Sequence, residues 1–253
     1  MRVTGLPKRI AMWSGPRNIS TAMMRSFGAR EDCAVVDEPF YGAFLKQSRA
    51  PHPMADEIIA DMDCDWWSVM RRLAGAHPKA RPLWYQKHMP HLMTGPVSIS
   101  DFEGFSHAFL IRSPEKVIAS YAAKNELSSK DALGYAKMRS YFEVEQERSG
   151  QTPAVLDCDD ILRDPQAGLK RLCTVLEIDW DPAMLEWEAG PHDSDGIWGR
   201  HWYDAVNASR GFLRPAQDSL EHQAEEPAAL SGGFAELAKA CRDDYEALKQ
   251  YAL

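Results

Sequence analysis

Three stretches of the chain carry side chains whose types and spacing suit the handling of an anion. SGPRNIST (14–21) brings Arg17, Asn18, Ser20 and Thr21 together in a turn where an apolar run gives way to a helical pattern. At the exit of a strand, the backbone N–H groups of such a turn can cup a phosphate. Arg17 would neutralise it, and the Ser20 and Thr21 hydroxyls would bond its oxygens while capping the helix. The turn is not a Walker A loop, because GxxxxGK[ST] is absent. HAFLIRSPEKVIASY (107–121) repeats the design: Arg112 ends an apolar strand, Ser113 is placed as N-cap, Pro114 opens a helix, and Ser120 follows two turns later. Arg112 and that helix face would hold a second anionic group. The third stretch, WYQKHMPHLM (84–93), puts Lys87 and His88 side by side, with His91 three residues on.

The elements that must position these residues follow from the hydrophobic pattern. RIAMWSG (9–15), CAVVDEPF (33–40), LWYQKHM (83–89), HAFLIRS (107–113) and TPAVLDCDD (152–160) read as five short buried strands. Helical patterns lie between them, notably 114–125 and 164–178. Strands alternating with helices predict an α/β protein of three layers with a central parallel sheet. Proline-rich residues 50–100 are expected to form helical insertions and loops at the rim of a site. Residues 186–215, rich in Gly, Trp and His without periodicity, are expected to be mostly loop, and a last amphipathic helix spans roughly 232–251.

Composition sets the outer bounds. The chain has 253 residues, 45% hydrophobic and 26% charged, which suits one large domain or two small ones, and the alternating pattern of strands and helices is read as one domain over 1–253. A formal charge of −8 without a basic stripe argues against a nucleic-acid partner. No apolar run is long enough for a membrane span or shaped as a secretory leader, so a cytoplasmic protein is expected. Five cysteines without a CxxC pair suggest reduced thiols. The aspartates at 56, 61, 63 and 65 lack the EF-hand glycine and terminal glutamate and read as a solvated helix face, so no metal is expected.

With these motifs in hand, the sequence resembles the sulfotransferases that use 3′-phosphoadenosine 5′-phosphosulfate (PAPS). PRNIST (16–21) is similar to their PRSGTT-type loop, which cradles the 5′-phosphosulfate. LIRSPEKVIASY (110–121) matches their LIRxPxxVxxSY motif, in which the arginine and serine bind the 3′-phosphate. LDCDDILRDPQAGLKRLCTVLEI (156–178) is similar to a later core segment. The resemblance implies the P-loop NTPase-like sulfotransferase fold, PAPS as donor, no metal, and transfer of a sulfuryl group to a hydroxyl or amine of a small-molecule acceptor. It makes Arg17, Asn18, Ile19, Ser20, Thr21, Arg112 and Ser120 cofactor-binding. Ile19 departs from the pattern: the family has glycine there, and a β-branched residue resists positive φ and crowds a ligand.

The resemblance also nominates a base. KHMPHL is similar to the KTHLP-like segment of cytosolic sulfotransferases, pointing to His88 with Lys87 beside it; a histidine near its ordinary pKa suits that role. Glu38, in VVDEPF, is similar to a glutamate that serves as base in some bacterial members; equally, it would pair with Arg17 and hold the loop. Arg17 is the candidate for charge on the leaving group. DGIWGRHWYDAVNASRGF (195–212) resembles the segment that closes over the nucleotide, placing Trp198 and Arg200 at the cofactor. Two alternatives remain: a nucleotide-binding kinase or hydrolase on the same architecture, and a degenerate, non-catalytic member of the fold.

Overall fold

The computed structural model describes residues 6–76, 79–122, 129–212 and 232–253. Five strands, β1 (Lys8–Ser14), β2 (Cys33–Asp37), β3 (Leu83–His88), β4 (Ser106–Ile111) and β5 (Ala154–Asp157), form one sheet in the order β2-β3-β1-β4-β5. All neighbouring pairs are parallel, with Met12 opposite Lys87 on one side and Ala108 on the other. The five strands read from the sequence are these five, with the carboxyl ends trimmed and with β1 and β4 each starting one residue earlier.

Parallel strands need crossovers, and here the crossovers cover both faces. Helices α1 (Ser20–Gly28), α7 (Cys158–Arg163) and α8 (Pro165–Val175) lie on one face. There Met23, Phe27, Leu169 and Leu172 pack on Ile10, Met12 and Tyr85. The opposite face is covered by α4 (Trp66–Ala74), α6 (Tyr135–Ser149) and α11 (Gly233–Lys249). Val69, Leu73, Met138, Phe142 and Leu248 pack there on Ala11, Trp13 and Trp84. Alternation along each strand thus sends neighbouring residues into two separate cores.

Around the sheet, α2 (Tyr41–Ser48) and α3 (Ala55–Asp61) follow β2, and α5 (Pro114–Ala122) follows β4. Residues 186–212, expected to be mostly loop, carry two short helices, α9 (Gly199–Trp202) and α10 (Asp204–Asn207), closed by a bridge between Glu186 and Gly211. The end of the predicted 114–125 helix and the last residues of the predicted 186–215 loop lie outside the described residues. The expected aspartate-rich face resolves into local roles, with Asp65 capping α4 through Ser68 N–H at 2.6 Å. Among the described residues no helix is long and apolar enough to cross a membrane, and no group of three or more His, Cys, Asp or Glu could hold a metal ion.

Candidate active site

A cleft of about 370 Å³ opens beyond the carboxyl ends of β1, β2, β3 and β4, where the chain order reverses around β1. Doubly wound sheets place their ligands there. Its lower wall is the β1–α1 turn. Gly15 is needed because a Cβ would sit 2.7 Å from the Leu133 carbonyl oxygen. Asn18 braces the turn, donating from Nδ2 to the Leu110 carbonyl at 3.0 Å, while its own carbonyl meets Cys158 Sγ at 3.2 Å.

Arg17 and Ile19 both adopt left-handed backbone, at φ 60° and 48°. For a β-branched residue this conformation costs on the order of 1–2 kcal/mol. Ile19 therefore stands in the left-handed region that a glycine enters without strain. Ile19 is also the N-cap of α1 and supplies no side-chain cap, so the first N–H groups of α1 face the cleft uncapped by a side chain. The expected capping by Ser20 and Thr21 is not what the structure has: both hydroxyls belong to the helix itself and line the cleft.

The two predicted anion grips meet. Arg17 Nε donates to Ser120 Oγ at 3.0 Å, and Arg112 Nη1 donates to the Arg17 carbonyl at 3.2 Å. Tyr135 holds the Arg112 carbonyl at 2.6 Å, and Asp159 lies 3.8 Å from Arg112 Nε. Both arginines, Ser120, Ser20 and Thr21 line the one cleft.

At the other end the carboxyl termini of β2 and β3 place a buried cluster. Lys87 Nζ donates to Asp37 Oδ1 at 2.9 Å, Glu38 Oε1 at 2.8 Å and the Tyr203 hydroxyl at 2.8 Å, with Thr21 Oγ1 at 3.3 Å. Burial works against the ammonium, but Asp37 and Glu38 outweigh it and hold the Lys87 pKa well above its ordinary value. Glu38 is pushed the opposite way to a usual salt-bridged carboxylate. Burial raises its pKa, Lys87 opposes this, and Asp37 adds to the rise. Its backbone stands at φ 37°, a left-handed strain at the mouth of the cleft.

His88 is not part of this site. It is 1% exposed, faces the opposite core, and stacks on Trp13 at 4.8 Å with Phe102 edge-on at 5.1 Å. Burial, with His107 nearby, lowers its pKa to about 3. The expectation of a base at His88 gives way because strand alternation points Lys87 into the cleft and its neighbour away from it. Glu38 pairs with Lys87 at 2.8 Å. Trp198 lines the cleft and donates from Nε1 to the Tyr203 hydroxyl at 3.1 Å. Arg200 does not line it; its side chain is exposed on α9.

Several lining groups escaped the sequence reading. Tyr41 and His52 hydrogen-bond at 2.8 Å, and Trp202, Tyr203 and Phe212 come from residues 186–212. That segment is anchored behind α1 by Arg25, whose Nη2 donates to Asp195 at 2.6 Å and Asn207 at 3.0 Å. Asp37 sits beside Glu38 in VVDEPF, and the paired acids were the signal available for it.

One cleft at the carboxyl edge of this all-parallel α/β sheet thus gathers two arginines and a carboxylate–ammonium cluster. Residues 8–230 match the sulfotransferase domain family, and the chain belongs to it. Two proteins of Arabidopsis thaliana are similar in sequence. The branched-chain-amino-acid aminotransferase-like protein 2 is 37% identical over 206 residues, 81% of this chain and 36% of that protein. The branched-chain-amino-acid aminotransferase-like protein 1 is 35% identical over 211 residues, 83% and 37% respectively. The chain thus spans little more than a third of these relatives, and "aminotransferase-like" describes them as wholes. In structure, the sulfotransferase domain of the Synechococcus PCC 7002 olefin synthase aligns with a TM-score of 0.51 at 17% identity, covering 95% of this chain and 97% of that one. A sulfotransferase from Alicyclobacillus acidocaldarius aligns at 0.50 and 12% identity, covering 72% and 89%. At these identities the likeness concerns the fold.

Proposed function

We propose that this domain transfers a sulfuryl group from PAPS to the hydroxyl or amine of a small-molecule acceptor. The observation that carries the reading is the meeting of Arg17, Arg112 and Ser120 on the cleft that Glu38 and Lys87 also face. The residues fit such a donor: two guanidinium groups for its phosphates, an α1 terminus without a side-chain cap, and aromatic walls at Trp202 and Phe212.

When bound, PAPS supplies a sulfuryl group carried on a phosphate leaving group. Arg17, Ser20, Thr21 and the α1 N–H groups would hold the phosphosulfate end, and Arg112 with Ser120 would hold the 3′-phosphate. Glu38 takes the acceptor's proton at its carboxylate. Its proton affinity, raised chiefly by burial, suits it to accept that proton. Lys87 keeps Glu38 aimed into the cleft and would lend positive charge to a phosphate leaving group held there. No metal is required, since arginine, lysine and backbone N–H groups supply the charge.

Thermal shift with 3′,5′-adenosine bisphosphate, set against ATP with magnesium, tests the donor site; stabilisation by the bisphosphate alone is expected. A preference for ATP would favour a kinase or hydrolase instead. Arg112→Ala should weaken the bisphosphate by about 10- to 100-fold, the scale of one or two charge-assisted hydrogen bonds. Its effect on adenosine 5′-phosphate should be far smaller, and equal losses would remove the assignment. Labelled-sulfate transfer across an alcohol and amine panel then separates an enzyme from a degenerate binder.

A further inference from the structure

The cluster beneath Glu38 holds two carboxylates against one ammonium, and its hydrogen bonds assign each group a different freedom. A phenol has one proton and two lone pairs. The Tyr203 hydroxyl gives its proton to Asp37 Oδ2 at 2.6 Å and accepts from Lys87 Nζ at 2.8 Å and Trp198 Nε1 at 3.1 Å, which uses all three. Asp37 accepts from Lys87 on Oδ1, and from Tyr203 and the Gly196 N–H on Oδ2. Its side chain is 1% exposed and has no face on the cleft. Glu38 is tied through Oε1 alone to Lys87, and its side chain is 12% exposed.

We propose that Asp37 and Tyr203 are positioning residues for Glu38: they fix how the charge of Lys87 is divided between the two carboxylates, and so how firmly Glu38 takes up a proton. This rests on the reading of Glu38 as the base. Tyr203 draws charge from Asp37, which leaves more of Lys87 for Glu38; Asp37 competes for the same ammonium. Tyr203 arrives on residues 186–212, held down by Arg25 and Asp195, so the wall of the cleft is itself part of the device. Among the described residues, the other titratable or charged groups on the cleft are Arg17 and Arg112 from the strand exits, Tyr41 from α2, His52 before α3 and His91 after β3. The hydrogen bonds of Lys87 Nζ run to Asp37, Glu38, Tyr203 and Thr21.

The test reads Glu38 directly, by ¹³C NMR titration of the glutamate side-chain carboxyls in the full chain, with Glu38→Gln identifying the resonance. Asp37→Asn removes a neighbouring negative charge, and the Glu38 apparent pKa should fall by about one unit. Tyr203→Phe returns charge to Asp37, and Glu38 should rise by about half a unit. General loosening would admit water and lower it instead, so the upward shift marks positioning. In the double variant the effect of Tyr203→Phe should vanish, because the carboxylate it acts through is gone. A fall or no change with Tyr203→Phe overturns the proposal, as does a rise or no change with Asp37→Asn. If Asp37→Asn fails to fold, Tyr203→Phe alone decides. Binding of 3′,5′-adenosine bisphosphate is measured beside each titration. Its absence in the wild type would defeat the sulfotransferase reading while leaving the titration result intact.

Discussion

Lys87 and His88 are adjacent on β3, equally buried, and in opposite worlds. Lys87 lies among two carboxylates, a phenol and a threonine hydroxyl at the edge of the cleft. His88 lies among Trp13, Phe40 and Phe102, with Gln86 Oε1 at 3.3 Å from its Nε2. Burial acts against the charge of both. The lysine keeps its charge because opposite charges stand within hydrogen-bond reach, and the histidine has none and stays neutral. A side chain's chemical type therefore says less about its use than the face of the strand it occupies.

The harshest test of this contrast is Lys87→Met, which strands two buried carboxylates; it should cost about 3–5 kcal/mol in denaturant unfolding, the scale of a broken buried ion pair. His88→Leu should cost no more than about 1.5 kcal/mol and leave bisphosphate binding and sulfuryl transfer intact. Transfer lost in a folded His88→Leu protein would reverse the comparison. Next, Glu38→Gln should lower transfer by about 10²- to 10⁴-fold, the range for a lost general base. It should not reduce stability, because it relieves the excess negative charge of the cluster.

A subtler effect concerns pH. His88 and His107 stay neutral in the fold, with pKa values lowered to about 3 and about 4, chiefly by burial. Unfolded histidines protonate near 6.5, so below that pH the unfolded chain binds more protons than the native one. Their contribution is complete above pH 6.5 and is lost as pH falls toward 4 and then 3, at about 1.4 kcal/mol per pH unit for each histidine. His88→Leu should flatten that slope by one histidine's share in denaturant titrations between pH 4 and 6.5. Smallest is Ile19→Gly. Relief of the left-handed strain and the added freedom of glycine in the unfolded chain are each about 1 kcal/mol and oppose one another. Unfolding should move by under about 1 kcal/mol, with bisphosphate affinity kept or improved.

The sheet was legible because its strands are short apolar runs broken by Gly, Pro and polar turns, from RIAMWSG through TPAVLD. The meeting of Arg17 and Arg112 on one cleft was legible for a related reason: both follow a strand exit, in the turn that leads into the next helix. Helix α6 was missed because its inward face is built from Tyr135, Tyr141 and Glu145 as well as Met138 and Phe142, so the apolar stripe is masked. Which of Lys87 and His88 faces the cleft is not legible, because every residue of β3 is buried, which erases the polar–apolar alternation that would reveal facing. Tyr203 was out of reach, since the pairing of residues 186–212 with β2 is a contact over more than a hundred and fifty positions with no periodicity to announce it.

The bond from Arg17 to Ser120, and that from Arg112 to the Arg17 carbonyl, have a consequence for timing. A grip whose arms already clasp one another has no ordering step ahead of capture. Nucleotides differing by a single phosphate should then associate at similar speeds and differ mainly in residence time.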